Sequence, residues 1–166
     1  AYHFSSKSDN KFKSITKAHF DIIPRSSNLL LSFGEIDCRP NEGFISAALK
    51  LNQKVEEIIC NTVTGYVDWF IEQNNDKDHK LYFFNIPAPI YNEKYTAEKN
   101  DEVVKTVKLF NVFLEKARSD YGFDIIDVFK FTVGNRGFSN GEFHIDEHHL
   151  SGNAIPEIEK QISVGN

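Results

Sequence analysis

Methionine is absent from the 166 residues, and the other rare types are two cysteines, one tryptophan and five prolines. The missing methionine beside 15 phenylalanines points to an AT-rich genome and to a chain that begins after its initiator. Cys38 and Cys60 lack the paired spacing of a zinc site and are too few for a disulfide framework. They fit a reducing compartment, and the expected location is cytoplasmic. Basic charge is in deficit: a net charge of -5 offers no patch for a nucleic acid. No apolar run approaches the roughly 20 residues of a membrane span, and Ala1-Tyr2-His3-Phe4 does not open a signal peptide. Internal repeats and low-complexity segments are lacking too. What remains is ordinary for one globular domain with a real core: 40% apolar and 26% charged residues.

The apolar pattern alternates between two periods. Ala1–Phe4 reads as the end of a strand, and Ser14–Ile23 as a short helix stopped by Pro24. Asn28–Phe33 is a compact apolar run closed by Gly34, too short for a helix and suited to a buried parallel strand. From Glu42 to about Asn75 apolar residues recur at three- and four-residue steps, predicting one long helix that Gly65 bends or divides. Leu81–Ile86 is a second buried strand, closed by Pro87-Ala88-Pro89. A long loop runs to about Lys99, and loops of that length are often functional. Asn100 or Asp101 then caps a helix that ends at Gly122. Phe123–Phe129 is the third strand, and a closing helix spans about 154–163. This order predicts a three-layer α/β/α sandwich with a parallel sheet, flavodoxin-like in class.

In such sheets, sites form beyond the carboxyl ends of the strands. Three loops meet that condition: Gly34–Arg39, Asn85–Pro89, and the stretch Gly141–Leu150, which holds three of the six histidines. Asp146 and His149 are three apart, so one helical turn would bring them together. A carboxylate on imidazole Nδ1–H fixes the tautomer and frees Nε2 as a general base. The bland alternative is a solvated loop rich in His and Glu. His148 rivals His149, but the i to i+3 spacing favours His149. His3, His19 and His79 read as surface residues.

Gly34-Glu35-Ile36-Asp37, followed some hundred residues later by Asp146-Glu147-His148-His149-Leu150, resembles the SGNH (GDSL-like) hydrolase family. Phe33-Gly34-Glu35-Ile36-Asp37-Cys38-Arg39 looks like the form this block takes in a branch found near bacterial surface-polysaccharide genes. The resemblance covers roughly residues 28–162. It implies that Gly34 donates its backbone N–H to an oxyanion, that Asp146 orients His149, and that His149 is the base of a Ser-His-Asp triad. It also implies that Asp37 bonds neighbouring loops. No metal or organic cofactor is implied. The implied partner is a small-molecule or carbohydrate ester, plausible as an acylated sugar.

Two departures qualify this. Ile36 stands where the family has an asparagine donor, and Arg39 or a backbone N–H is the candidate substitute. The family's Gly-Asp-Ser block is absent from these residues, so the expectation is a single SGNH-like domain over 1–166 whose first strand and helix, with the nucleophilic serine, lie outside them. The alternative is a binding module that keeps the cleft without the nucleophile. Arg39 has its own bland alternative, an ion pair with Glu35, Asp37 or Glu42. Cys38 as a thiolate nucleophile, and His144-Ile145-Asp146 with His148 and His149 as a metal site, are weaker candidates.

Overall fold

The computed structural model describes residues 1–163. Three parallel strands form the sheet: β1 (Asn28–Leu31), β2 (Lys80–Phe84) and β3 (Asp124–Ile126), with β2 in the centre. The register pairs Leu31 with Phe83, and Phe84 with Ile126. Helices flank the sheet: α1 (Tyr2–Ser5), α2 (Lys11–Ile22), α3 (Phe44–Leu51), α4 (Val55–Asn74), α5 (Ala97–Tyr121), α6 (Val128–Thr132) and α7 (Ile155–Ser163).

Alternation along β2 decides what each face meets. Leu81 and Phe83 enter the main core with residues of α4 and α5, while Tyr82 and Phe84 pack with Val128, Phe131, Ile158 and Ile162 on the other face. That second layer covers β2 and β3 but not β1, whose Leu30 is 44% exposed. The main core is aromatic. The Phe70 ring contacts Phe4, Phe20, Phe33, Tyr66, Trp69 and Phe83, with centroids 4.9–6.0 Å apart. Each such side chain fully buried contributes roughly 2–3 kcal/mol, so the 15 phenylalanines find their main use here.

Several local expectations are corrected. The first residues form the short helix α1 rather than a strand end. The long helix expected from Glu42 to Asn75 is two helices. Asn52 takes the left-handed conformation (φ 51°) and closes α3, and α4 restarts at Val55. Gly65 neither bends nor divides α4. A Cβ there would lie 2.9 Å from the Ser5 carbonyl oxygen, so the glycine lets α1 lie on α4. The third strand ends at Ile126 because the Asp127 side chain accepts from Lys130 N–H and caps α6. Thr96, not Asn100 or Asp101, caps α5; Gly122 ends it as expected. His79 is not a surface residue. It is 5% exposed, its Nδ1 accepts from Ser27 N–H, and its ring meets the edge of Phe20.

Candidate active site

The carboxyl end of β1 runs through Phe33 into Gly34, then into a 3₁₀ turn at Ile36–Cys38. Gly34 has φ 120°, and a Cβ there would sit 2.7 Å from the Phe110 ring and 2.9 Å from Ile86 Cδ1. Conformation and space both require glycine. Among the described residues its N–H meets no acceptor. Ile36 is 59% exposed and offers no donor.

The carboxyl end of β2 is held by side chains that replace the ladder. Asn111 of α5 accepts from Ile86 N–H at 2.7 Å and donates to Ile86 O at 2.9 Å. The following loop is tied down by Asn100, which accepts from Asn92 N–H and donates to the carbonyls of Asn92 and Thr96. Asn92 in turn donates to Glu147 at 3.0 Å, fastening the loop to the histidine stretch. These asparagines escaped the sequence reading. Their type suits loops, but nothing in their spacing marks which loops they join.

The histidine stretch is a closed turn, not a helix. Ile145 N–H donates to His149 O, Ser151 N–H donates to Phe143 O, and His144 bridges Leu150. Asp146 Oδ1 accepts from the backbone N–H of His148 and of His149, both at 2.8 Å. His149 Nδ1 lies 2.9 and 2.8 Å from the two oxygens of the same carboxylate. The His148 N–H, then the His149 ring and N–H, hold the Asp146 carboxyl far below the usual carboxylate range. With Nδ1–H directed at Asp146, the tautomer leaves Nε2 as the acceptor.

A second imidazole–carboxylate pair stands beside the first. His148 Nδ1 is 2.9 Å from Glu35 Oε1, and the His148 and His149 rings lie 6.5 Å apart, nearly perpendicular. Glu35 also takes the Arg39 fork: Nε at 3.1 Å from each oxygen and a terminal nitrogen at 2.8 Å. The Arg39 guanidinium is thus committed to the loop pair that the bland alternative named. Asp37 accepts from the Ala1 nitrogen at 2.7 Å and from Tyr2 N–H at 3.2 Å, bonding the loop to α1.

Cys38 is buried, and burial, with Asp37 and Glu35 nearby, pushes its thiol well up. It is a poor thiolate. His144 Nδ1 meets Ser139 Oγ at 2.9 Å, and burial pushes its ring down. The three histidines of the turn therefore take three different partners. Among the described residues no three His, Cys, Asp or Glu side chains gather as a metal site.

Gly34, Asp37, Arg39 and His149 line one groove of about 540 Å³, bounded across from them by α1 and α2 residues such as Phe4 and Ile15. Exposed Ser32 lines it too. No Gly-Asp precedes that serine, so no motif singled it out. Among the described residues no helix is long and apolar enough to cross a membrane.

No family model and no curated protein matches the chain. Solved structures do. A GDSL-like lipase from Bacteroides thetaiotaomicron superposes with a TM-score of 0.59 at 16% identity, over 92% of this chain and 69% of that one. Phospholipase A1 from Streptomyces albidoflavus gives 0.55 at 14% identity, over 90% and 75%. A Bacteroides fragilis chain named as an acylhydrolase gives 0.54 at 13%, over 95% and 97%. The fold, a three-stranded parallel sheet flanked by helices, is that of the GDSL-like lipases and SGNH acylhydrolases.

Proposed function

We propose that this protein is an SGNH-type ester hydrolase in which Asp146 and His149 are the acid and base of the catalytic triad and the nucleophile is a serine outside these 166 residues. The carrying observation is the Asp146–His149 contact, whose imidazole lines the same groove as Gly34. The similarity to a lipase and a phospholipase supports ester chemistry.

The serine Oγ attacks the ester carbonyl, and His149 Nε2 takes its proton. The oxyanion of the tetrahedral intermediate accepts from the Gly34 N–H. As the intermediate collapses, His149 returns the proton to the leaving alcohol. Water then repeats the cycle on the acyl-enzyme and releases the carboxylic acid. Asp146 keeps Nδ1–H engaged and stabilises the imidazolium at each transfer. The substrate class we favour is an acyl group on a carbohydrate.

His149→Ala in the intact protein should lower hydrolysis of p-nitrophenyl acetate at least a thousandfold. His148→Ala should retain most of it. Equal loss in both, or loss with His148 alone, would reassign the base to the Glu35-bound ring.

A further inference from the structure

A cationic strip runs along the outer face of α5. Lys105, Lys108, Val112 and Lys116 follow one another at steps of three or four residues, so they form one line, and all four are exposed. At the helical rise, Lys105 and Lys116 stand about 16 Å apart along the axis. None of the three lysines has an ion pair or hydrogen bond among the described residues. The acids on the same face are already engaged: Asp101 accepts from Arg136, and Glu115 pairs with Arg118 at 2.6 Å. In a chain of net charge -5, the strip is a local excess of positive charge.

Lys105 and Lys108 border a shallow depression of about 500 Å³ with apolar Val104, Leu109 and Val112 in its lining. Arg136 lines it too, on a left-handed backbone (φ 57°) that side chains of its type rarely adopt. Its guanidinium is held twice. One terminal nitrogen donates to both Asp101 oxygens, at 2.9 and 3.1 Å, and the group lies 5.9 Å from the Phe138 ring centroid. Its Nε and other terminal nitrogen make no bond among the described residues. Lys108 is placed as well: it lies over Gly137, where a Cβ would come within 2.8 Å of Nζ. Phe138 in turn meets the exposed ring of Tyr91, and it lines the polar cleft that Glu35 and His148 border. The depression and that cleft are neighbours across Arg136 and Phe138.

Spacing and shape select the class of ligand. A nucleic acid carries a charge about every 1.7 Å, and the chain as a whole repels so dense a polyanion. A protein partner needs an anchor pocket within roughly 800 Å² of buried surface, and this floor is shallow. A flat lipid surface does not reach cations set around a hollow. A polymer of sparse charges and apolar ring faces fits. Charges several ångströms apart match the lysines, while Tyr91 and the aliphatic floor offer surfaces for sugar C–H faces.

We propose that this strip binds an anionic polysaccharide, whose carboxylates pair with Lys105, Lys108, Lys116 and Arg136. Binding there does not require the proposed ester hydrolysis.

The test titrates the intact protein into a fluorescein-labelled oligogalacturonate and follows anisotropy. Binding should saturate, and should weaken at least threefold from low to physiological salt. Lys105→Glu with Lys108→Glu should weaken it at least tenfold. Lys105→Gln with Lys108→Gln, which keeps side-chain length and helix propensity, should weaken it at least threefold at unchanged circular dichroism. His149→Ala should bind as the parent does. Amide resonances shifted by the unlabelled oligomer should centre on residues 101–116 and Arg136. Dextran, which is neutral, should not compete, and polyglutamate of equal charge should compete at least tenfold more weakly. No saturable binding, or binding that neither double variant weakens, would overturn the proposal. Polyglutamate competing equally would overturn it in favour of an acidic protein segment. Oligogalacturonate binding without ester hydrolysis would uphold the strip and overturn the catalytic reading; hydrolysis without binding would do the reverse.

Discussion

Asp146 precedes the two residues whose N–H groups it accepts, and the turn exists largely because of it. Those donors and the His149 ring depress its folded-state value below that of the unfolded chain. The sign follows from linkage. Its contribution to stability is present above the ordinary carboxylate value of about 3.9 and is lost only as pH falls through the depressed one. The Asp146 carboxyl carbon should show no NMR inflection between pH 6 and pH 3. An inflection near the ordinary value would mean that the turn is open in solution. Arg39 is the other residue whose role the contacts bear on. Its fork is spent on Glu35, in a pair only a quarter to a third exposed. Arg39→Ala should cost about 1 kcal/mol, or roughly 2–4 °C in Tm for a chain of this size, with kcat changed less than threefold. A hundredfold fall in kcat at unchanged Tm would instead put the guanidinium on the oxyanion.

At the scale of elements, the period of the apolar residues reveals which stretches fold and fails at their junctions. The faces of α3 and α4 run nearly in phase, so a helical period cannot register the break at Asn52, which is made by one left-handed residue. The run Phe123–Phe129 reads as one strand because the apolar residues continue from β3 into the start of α6; only the Asp127 cap separates them. The Asp146–His149 pair is legible because it is local. The Glu35–Arg39–His148 cluster is half legible: Glu35 and Arg39 share a loop, but His148 arrives from the far end of the chain. Gly65 shows what spacing cannot give. A glycine inside a helix reads as a weak point, yet here it is a contact with Ser5. Gly65→Ala gains about 1 kcal/mol of helix propensity and meets about 1–3 kcal/mol of steric cost against backbone that cannot rotate away. Net destabilisation of up to about 2 kcal/mol is expected, with faster hydrogen exchange at Phe4 and Ser5. A variant more stable than the parent, with those amides still protected, would show that the close approach is not required.

At the scale of the molecule, β1 is an edge strand among the described residues, and Leu30 on its uncovered face is 44% exposed; Ile15 and Ile22 of α2, the helix before it in sequence, are 55% and 77% exposed. Exposed apolar edges are a hazard that folded proteins usually cover. The groove with Gly34 and His149 opens beside the end of this strand. A segment carrying the proposed serine would complete both sheet and site by lying there. Ser32 is the rival within the chain, since it is exposed and lines the same groove. A fluorophosphonate, which couples to activated serines, separates the two. Treated full-length protein should carry the adduct on a serine outside these 166 residues, and His149→Ala should label at least a hundredfold more slowly. The 166-residue segment alone should take no label. An adduct on Ser32, reduced by Ser32→Ala and by His149→Ala alike, would place the nucleophile at the end of β1 and remove any need for another segment. Absence of labelling in the folded full-length protein would leave a cleft of this fold without an activated serine.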